Sequence, residues 1–253
     1  MCPQEGGRGL RGLRTSPTIA IGRLGACDRF PATLSRCRTG QNRCVRVGVA
    51  HHFGWAVAVA ASIDDEVVDR RRVELIAPGL PSAPIHQCGG AHQLHEPAEP
   101  LDDDALTALV TEVRASVTRA TAAALDELSA ALPEPIGSMS VRSWPTAFPT
   151  DIAVQRRVPY ESRADSVMYC QVLAAVARAR GWKVHLYDAK SVEAEAAAVL
   201  GRRAHDVLHG PRMRLGPPWS KDHRIALAAT IVARSSGESP TGLGCAEAAD
   251  ARA

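Results

Sequence analysis

Side-chain types that could do chemistry gather in three places along the chain. His51 and His52 stand together at the end of an apolar run. Imidazole binds Zn²⁺ or serves as a general base. Adjacent residues in a strand point to opposite faces, so at most one of the two can face a given site. A polar strand end beside a turn accounts for the pair equally simply. His86, Cys88, His92 and His95 fall within ten residues. Their types suit zinc, but their spacing matches no standard finger or ribbon. The neighbouring Gly89-Gly90 pair favours a surface loop. Arg202, Arg203, Arg212, Arg214, Lys221 and Arg224 face only Asp206 and Asp222 in the same stretch, a local net of +4. A cluster of that kind contacts nucleic-acid phosphates, or is a solvated face on an otherwise acidic domain. No Walker loop, GxGxxG, GxSxG or HExxH is present. P-loop hydrolysis, Rossmann redox chemistry and α/β-hydrolase catalysis therefore lack their usual signatures.

The elements that must position these residues are legible between about residues 45 and 234. Val45–Ala50 is short, apolar and β-branched, and Trp55–Ala61 follows after Gly54. Asp64-Asp65-Glu66 is a turn, and Val67–Ile76 gives a third strand with Val73 and Leu75 alternating against Arg72 and Glu74. Three strands joined by tight turns make an antiparallel meander. Residues 77–100, rich in Pro, Gly and His, read as a loop.

From Leu101 the period becomes helical, through Leu106, Leu109, Val110, Val113, Val117, Ala124, Leu128 and Leu132. Asp102, Asp103 and Asp104 cap and charge its first turn, and Pro133 stops it. Ile136–Ser143 is a fourth strand. Ser162-Arg163-Ala164-Asp165 has the form of a capping box opening a helix that Gly181 ends. Trp182–Tyr187 is a fifth strand, Ser191 starts a helix that closes near Gly201, and Ser220 caps the last one. Gly216-Pro217-Pro218-Trp219 reads as a rigid turn that anchors this helix through its aromatic residue. Trp55, Leu109, Val113, Val117, Val172 and Leu186 are expected in one core.

Hydrophobic residues make up 45% of the 253-residue chain and charged residues 23%, which suits a globular domain that needs no disulfides. The net charge of +3 is unevenly spread. Residues 1–46 carry nine Arg against Glu5 and Asp28, a net of +7, which leaves −4 for the remainder. Bulk charge thus lends little support to DNA binding by the folded part. Residues 1–44 read as a disordered Arg-rich tail, and 235–253 as a second frayed, polar one. Seven cysteines are spread singly, without CxxC, which suits a reducing compartment and a cytoplasmic location. The longest apolar stretch, Trp55–Ala61, is too short to span a bilayer, so no membrane partner is expected.

The order β-β-β-α-β-α-β-α, a five-stranded mixed sheet with flanking helices, resembles the α/β ribonuclease H-like fold. The local likeness is to RuvC-type Holliday-junction resolvases. Val47-Gly48-Val49-Ala50 followed by Gly54-Trp55-Ala56-Val57 looks like that family's first strand, turn and second strand. Lys221-Asp222-His223-Arg224-Ile225-Ala226-Leu227-Ala228 looks like the start of its last helix. The resemblance implies carboxylates holding two Mg²⁺ or Mn²⁺ ions that cut a phosphodiester. It places the first carboxylate in the first strand, the second at the end of the fourth and the last in the final helix. Here the first strand offers Ala50, His51 and His52, and the fourth contains no acid. Only Asp222 falls on a ligand position, where it also suits a helix's first turn on structural grounds alone. Asp188, after the fifth strand, is a further acid without a family counterpart.

Two readings stay open at this level. One is a catalytically degenerate ribonuclease H-like domain that contacts nucleic acid through Arg202, Arg203, Arg212, Arg214, Lys221 and Arg224. The other is a metal-dependent nuclease or resolvase with a non-standard ligand set. In that case Asp222 is a metal ligand, and Asp188 or His51 and His52 stand in for the missing acids. The absent carboxylates favour the first.

Overall fold

A computed structural model describes residues 44–90 and 99–235, all within one compact unit. Its strands are β1 (Val45–His51), β2 (Trp55–Ala61), β3 (Val67–Glu74), β4 (Ile136–Arg142) and β5 (Lys183–Tyr187). The helices are α1 (Pro84–Cys88), α2 (Asp103–Ala131), α3 (Ile152–Gln155), α4 (Glu161–Ala179), α5 (Val192–Leu200), α6 (Ala204–His209), α7 (Pro211–Leu215) and α8 (Lys221–Ser235). A 3₁₀ turn, Gly201–Arg203, joins α5 to α6. The sheet order is β3-β2-β1-β4-β5. β2 is antiparallel to β1 and β3, whereas β4 is parallel to β1 and β5. This is the five-stranded mixed sheet with flanking helices that the element order predicts. The tails expected at 1–44 and 235–253 lie, apart from Cys44 and the backbone of Ser235, outside the described residues.

Helices cover both faces of the sheet. Val45, Val47, Val49, Met139 and Val141 pack with Val113 and Val117 of α2 and with Tyr169, Val172 and Leu173 of α4. Ala50, Val57, Val59 and Tyr187 pack on the other side with Val192 of α5, Leu208 of α6, Trp219 in the turn before α8 and Ile225 of α8. Double coverage is why β1 and β2 read as unbroken apolar runs rather than alternating ones. Small residues bring α8 down onto the centre of the sheet. A Cβ on Gly48 would lie 1.8 Å from the Ala226 carbonyl oxygen, and Ser140 Oγ donates to the Ala229 carbonyl at 3.0 Å. The alanines of α8 and the glycine of β1 are two halves of one contact.

The β2–β3 turn supplies a second clamp. Asp65 takes a left-handed backbone, φ +67°, and buries its carboxylate. Arg46 of β1 lies 3.0 Å from it, Arg234 of α8 2.8 Å, and Arg203 3.9 Å. Burial pulls Arg46 below the ordinary guanidinium range, an effect that its bond to Asp65 opposes. The turn, the last helix and the 3₁₀ segment are thereby tied at one point.

Several local expectations are corrected. β3 ends at Glu74, and the expected 77–100 loop contains α1. α4 begins at Glu161, and Ser162 and Asp165 do not form a capping box. Ser162 Oγ donates to the Pro159 carbonyl. Asp165 is buried and accepts from the Ile85 and His86 amides at 3.2 and 2.9 Å, so it caps α1. Trp55 and Leu186 do not join the expected core. Trp55 packs against the α8-side cluster, and Leu186, on the edge strand β5, is 48% exposed. The other four residues pack together as expected, Leu109 at the margin. Trp219 is buried and donates its Nε1 to the Leu208 carbonyl at 2.8 Å, as the turn reading requires.

Candidate functional site

β1 lies between β2, to which the chain turns first, and β4, to which it returns through α2. The crevice beyond the carboxyl ends of β1 and β4 is the topological switch point, where open α/β sheets place ligands. His51 ends β1, Arg142 ends β4, and the first turn of α8 meets His52, the residue after β1, through Asp222.

The two histidines part as strand geometry requires. His51 turns toward α4, where Nε2 lies 3.2 Å from Ser166 Oγ and 3.6 Å from Cys170 Sγ. Its ring stacks with Tyr169 at 6.3 Å. Nδ1 is buried without a hydrogen-bond partner. Burial pushes the His51 pKa down to about 3, and the positive charges of Arg142 and His52 add to the effect. A group that weakly basic stays neutral near neutral pH. Burial likewise raises the Cys170 thiol to about 12, which keeps it out of thiolate chemistry.

His52 turns the other way. Its ring stacks on Trp55 with centroids 4.2 Å apart, and Nε2 lies 3.1 Å from Asp222 Oδ2. Arg72 covers the same indole, 3.9 Å from the ring centre. Asp222 is therefore partnered by an imidazole rather than by other carboxylates. Asp188 has a local role, since its Oδ1 accepts from the Lys190 amide and its carbonyl from the amides of Ser191 and Val192 as α5 begins.

Arg142, which belongs to no motif in the sequence, changes the electrostatics of the crevice. It is the last residue of β4, where the resemblance places a carboxylate. The guanidinium is half-buried, its Nε has no acceptor, and no carboxylate among the described residues pairs with it. Its charge acts on His51, Cys170 and Tyr187 from both faces of the sheet. The absence of an acid in β4 is visible in the sequence, and the arginine at its end is the signal that could have been taken from it.

The Mg²⁺ or Mn²⁺ pair that the resemblance implies does not fit this crevice. Hard dications need several anionic oxygens, and here a guanidinium replaces one carboxylate while a histidine holds Asp222. Among the described residues no three His, Cys, Asp or Glu side chains are placed to hold a metal ion. The structure places Asp222 against His52 and Asp188 at the start of α5. The zinc possibility at 86–95 falls partly outside the described residues, which exclude His92 and His95. His86 lies 3.4 Å from Asp165, which raises its pKa against the opposing effect of burial.

The predicted basic residues divide into two groups. Arg203 donates to the Asp64 carbonyl at 3.3 Å and Arg224 to Glu193 at 3.2 Å, so both are engaged within the fold. Arg202, Arg212, Arg214 and Lys221 are exposed and have no carboxylate partner among the described residues. Arg70 of β3, far away in the sequence, joins them without a local signal. Its guanidinium donates to the carbonyls of Leu215, Gly216 and Pro218, which fixes the segment carrying these cations to the sheet. No helix among the described residues is long and apolar enough to cross a membrane.

No protein-family model matches the sequence, and no curated protein matches it. Solved structures do. Thermus thermophilus RuvC in complex with a Holliday junction substrate is 12% identical, covers 76% of this chain and 96% of its own, and superposes with a TM-score of 0.42. A second Thermus thermophilus RuvC structure is 11% identical, with 78% and 97% coverage and a TM-score of 0.41. Both carry the name of the resolvases to which the sequence bears its resemblance.

Proposed function

We propose that this domain is a catalytically degenerate ribonuclease H-like module that contacts nucleic acid and does not cut it by two-metal chemistry. The observation that carries the reading is Arg142 at the end of β4, with Asp222 bonded to His52 and the charges of Arg142 and Asp222 both reaching Tyr187. A two-metal site brings a charge of about +4, which the substrate phosphate offsets only in part, and acidic ligands supply the rest. An unpaired guanidinium adds to that charge instead. Arg202, Arg212, Arg214 and Lys221 supply the contacts to phosphate, held in place by the bonds of Arg70 to the 215–218 turn. The single cysteines support a reducing, cytoplasmic location.

The test is incubation of the purified protein with Mg²⁺ or Mn²⁺ and either branched or single-stranded DNA. Little or no cleavage is expected, together with binding that weakens as salt rises. Arg212→Glu with Arg214→Glu should lower the slope of log affinity against log salt by roughly 1 for each phosphate no longer neutralised. Robust metal-dependent cutting, abolished by Asp222→Asn in a protein that still folds, would overturn the reading and establish a nuclease with a rebuilt ligand set.

A further inference from the structure

We propose that Arg142 makes the switch-point crevice an oxyanion site, one that takes a phosphate group directly where the fold's relatives use metal ions. The side chain's direction follows from the pairing. Ser140 pairs with Gly48, and both face α8. Arg142, two residues on, points to that same face beside its partner Tyr187, which packs in the α8-side cluster. The guanidinium thus rises at the carboxyl end of β4, on the side where the first turn of α8 meets His52.

Three observations point to an anion there. Arg142 is half-buried with no carboxylate partner, whereas the other arginines at the sheet–helix junctions, Arg46, Arg203, Arg224 and Arg234, each have one. Its buried Nε has no acceptor, and a buried donor left open in a folded protein calls for water or an ion. Asp222, whose charge reaches Tyr187 as that of Arg142 does, is bonded to His52 at 3.1 Å and makes no ion pair with Arg142. The planar fork of an arginine matches two oxygens of a phosphate. Lys221, exposed at the start of α8, adds a second positive charge on the approach. The shared chemistry is a phosphate group, either inorganic or at the end of a nucleic-acid strand.

The site shares Lys221 with the basic segment but is centred on Arg142, so its test is separate. Inorganic phosphate is titrated into the full chain by calorimetry and followed by thermal melting, with ionic strength held constant by chloride. Saturable one-site binding and a phosphate-dependent rise in melting temperature are expected. Arg142→Gln should weaken binding about ten-fold or more, with Arg142→Lys in between. Asp222→Asn removes the neighbouring negative charge and should tighten binding. That variant decides the matter if Arg142→Gln does not fold. Competition by a 5′-phosphorylated oligonucleotide, but not by its unphosphorylated form, supports the site and identifies a strand end as its source. Competition by neither oligonucleotide supports it with inorganic phosphate as the source. Absence of saturable phosphate binding overturns the proposal. So does binding that survives Arg142→Gln but disappears with Arg212→Glu and Arg214→Glu, which assigns the phosphate to the basic segment. So does unchanged affinity in Asp222→Asn.

Discussion

His51 makes the stability of this domain sensitive to acid in a way that one substitution isolates. Its pKa falls from 6.5 to about 3 on folding, chiefly through burial and then through the charges of Arg142 and His52. The sign follows from proton binding. Below pH 6.5 the unfolded chain takes a proton at His51 that the folded chain refuses, so the stabilisation is complete above 6.5 and is lost as pH falls toward 3. Linkage gives a slope of ~1.4 kcal/mol per pH unit in that window. His51→Phe keeps a ring against Tyr169 and removes the titration. The variant forgoes the hydrogen bond to Ser166 at every pH, but that offset is constant. Urea unfolding of both proteins at pH 7, 6, 5 and 4 reads the difference, in which the remaining carboxylates and histidines cancel. The gap between wild type and variant should shift by about 2 kcal/mol in the variant's favour between pH 7 and pH 5. Stability profiles that run parallel across this range would show that His51 is protonated in the folded state, and would refute the burial argument.

Three further outcomes are expected. Asp65→Asn keeps a residue that tolerates the left-handed turn but strands Arg46 and Arg234, and should cost ~3–5 kcal/mol in urea unfolding at neutral pH. Gly48→Ala forces β1 and α8 apart, because its Cβ would meet the Ala226 carbonyl at 1.8 Å; a loss of about 3 kcal/mol or more is expected by the same measurement. A chain beginning at Cys44 should melt cooperatively at nearly the parent temperature, since the preceding sequence has no periodicity that would build a core; a large drop in calorimetry would show that the segment packs on the domain.

The sequence made the sheet legible because its strands are punctuated locally. Gly54, Asp64-Asp65-Glu66 and Pro133 each mark a boundary that the structure keeps to within a residue or two. The helical period of α2 and the positive-φ Gly181 after α4 were equally plain. What failed were inferences about partners distant in the chain. Asp165 lies where a capping box needs an acid, yet it serves α1, eighty residues earlier. Leu186 has the apolar character of a core residue, but its position on an edge strand is set by sheet order rather than by local pattern. At the ends of β1 and β4, the sequence showed Arg142 but not that it would stand unpaired. Arg142 acquires its significance only from being unpaired, a property of the whole fold.

The positioning of the crevice and its chemistry are separable in this protein. α8 is held on the sheet by the Gly48–Ala226 approach, by Ser140 bonded to its backbone, and by Asp65 gripping Arg234. None of these interactions involves the residues that end β1 and β4. The scaffold therefore brings the first turn of α8 to the ends of those strands whether the side chains there are acids or bases. Arg142 at the end of β4 leaves the packing of the sheet intact and sets the charge offered to a ligand there. The residues that end these strands, rather than the topology around them, must therefore carry the argument for function.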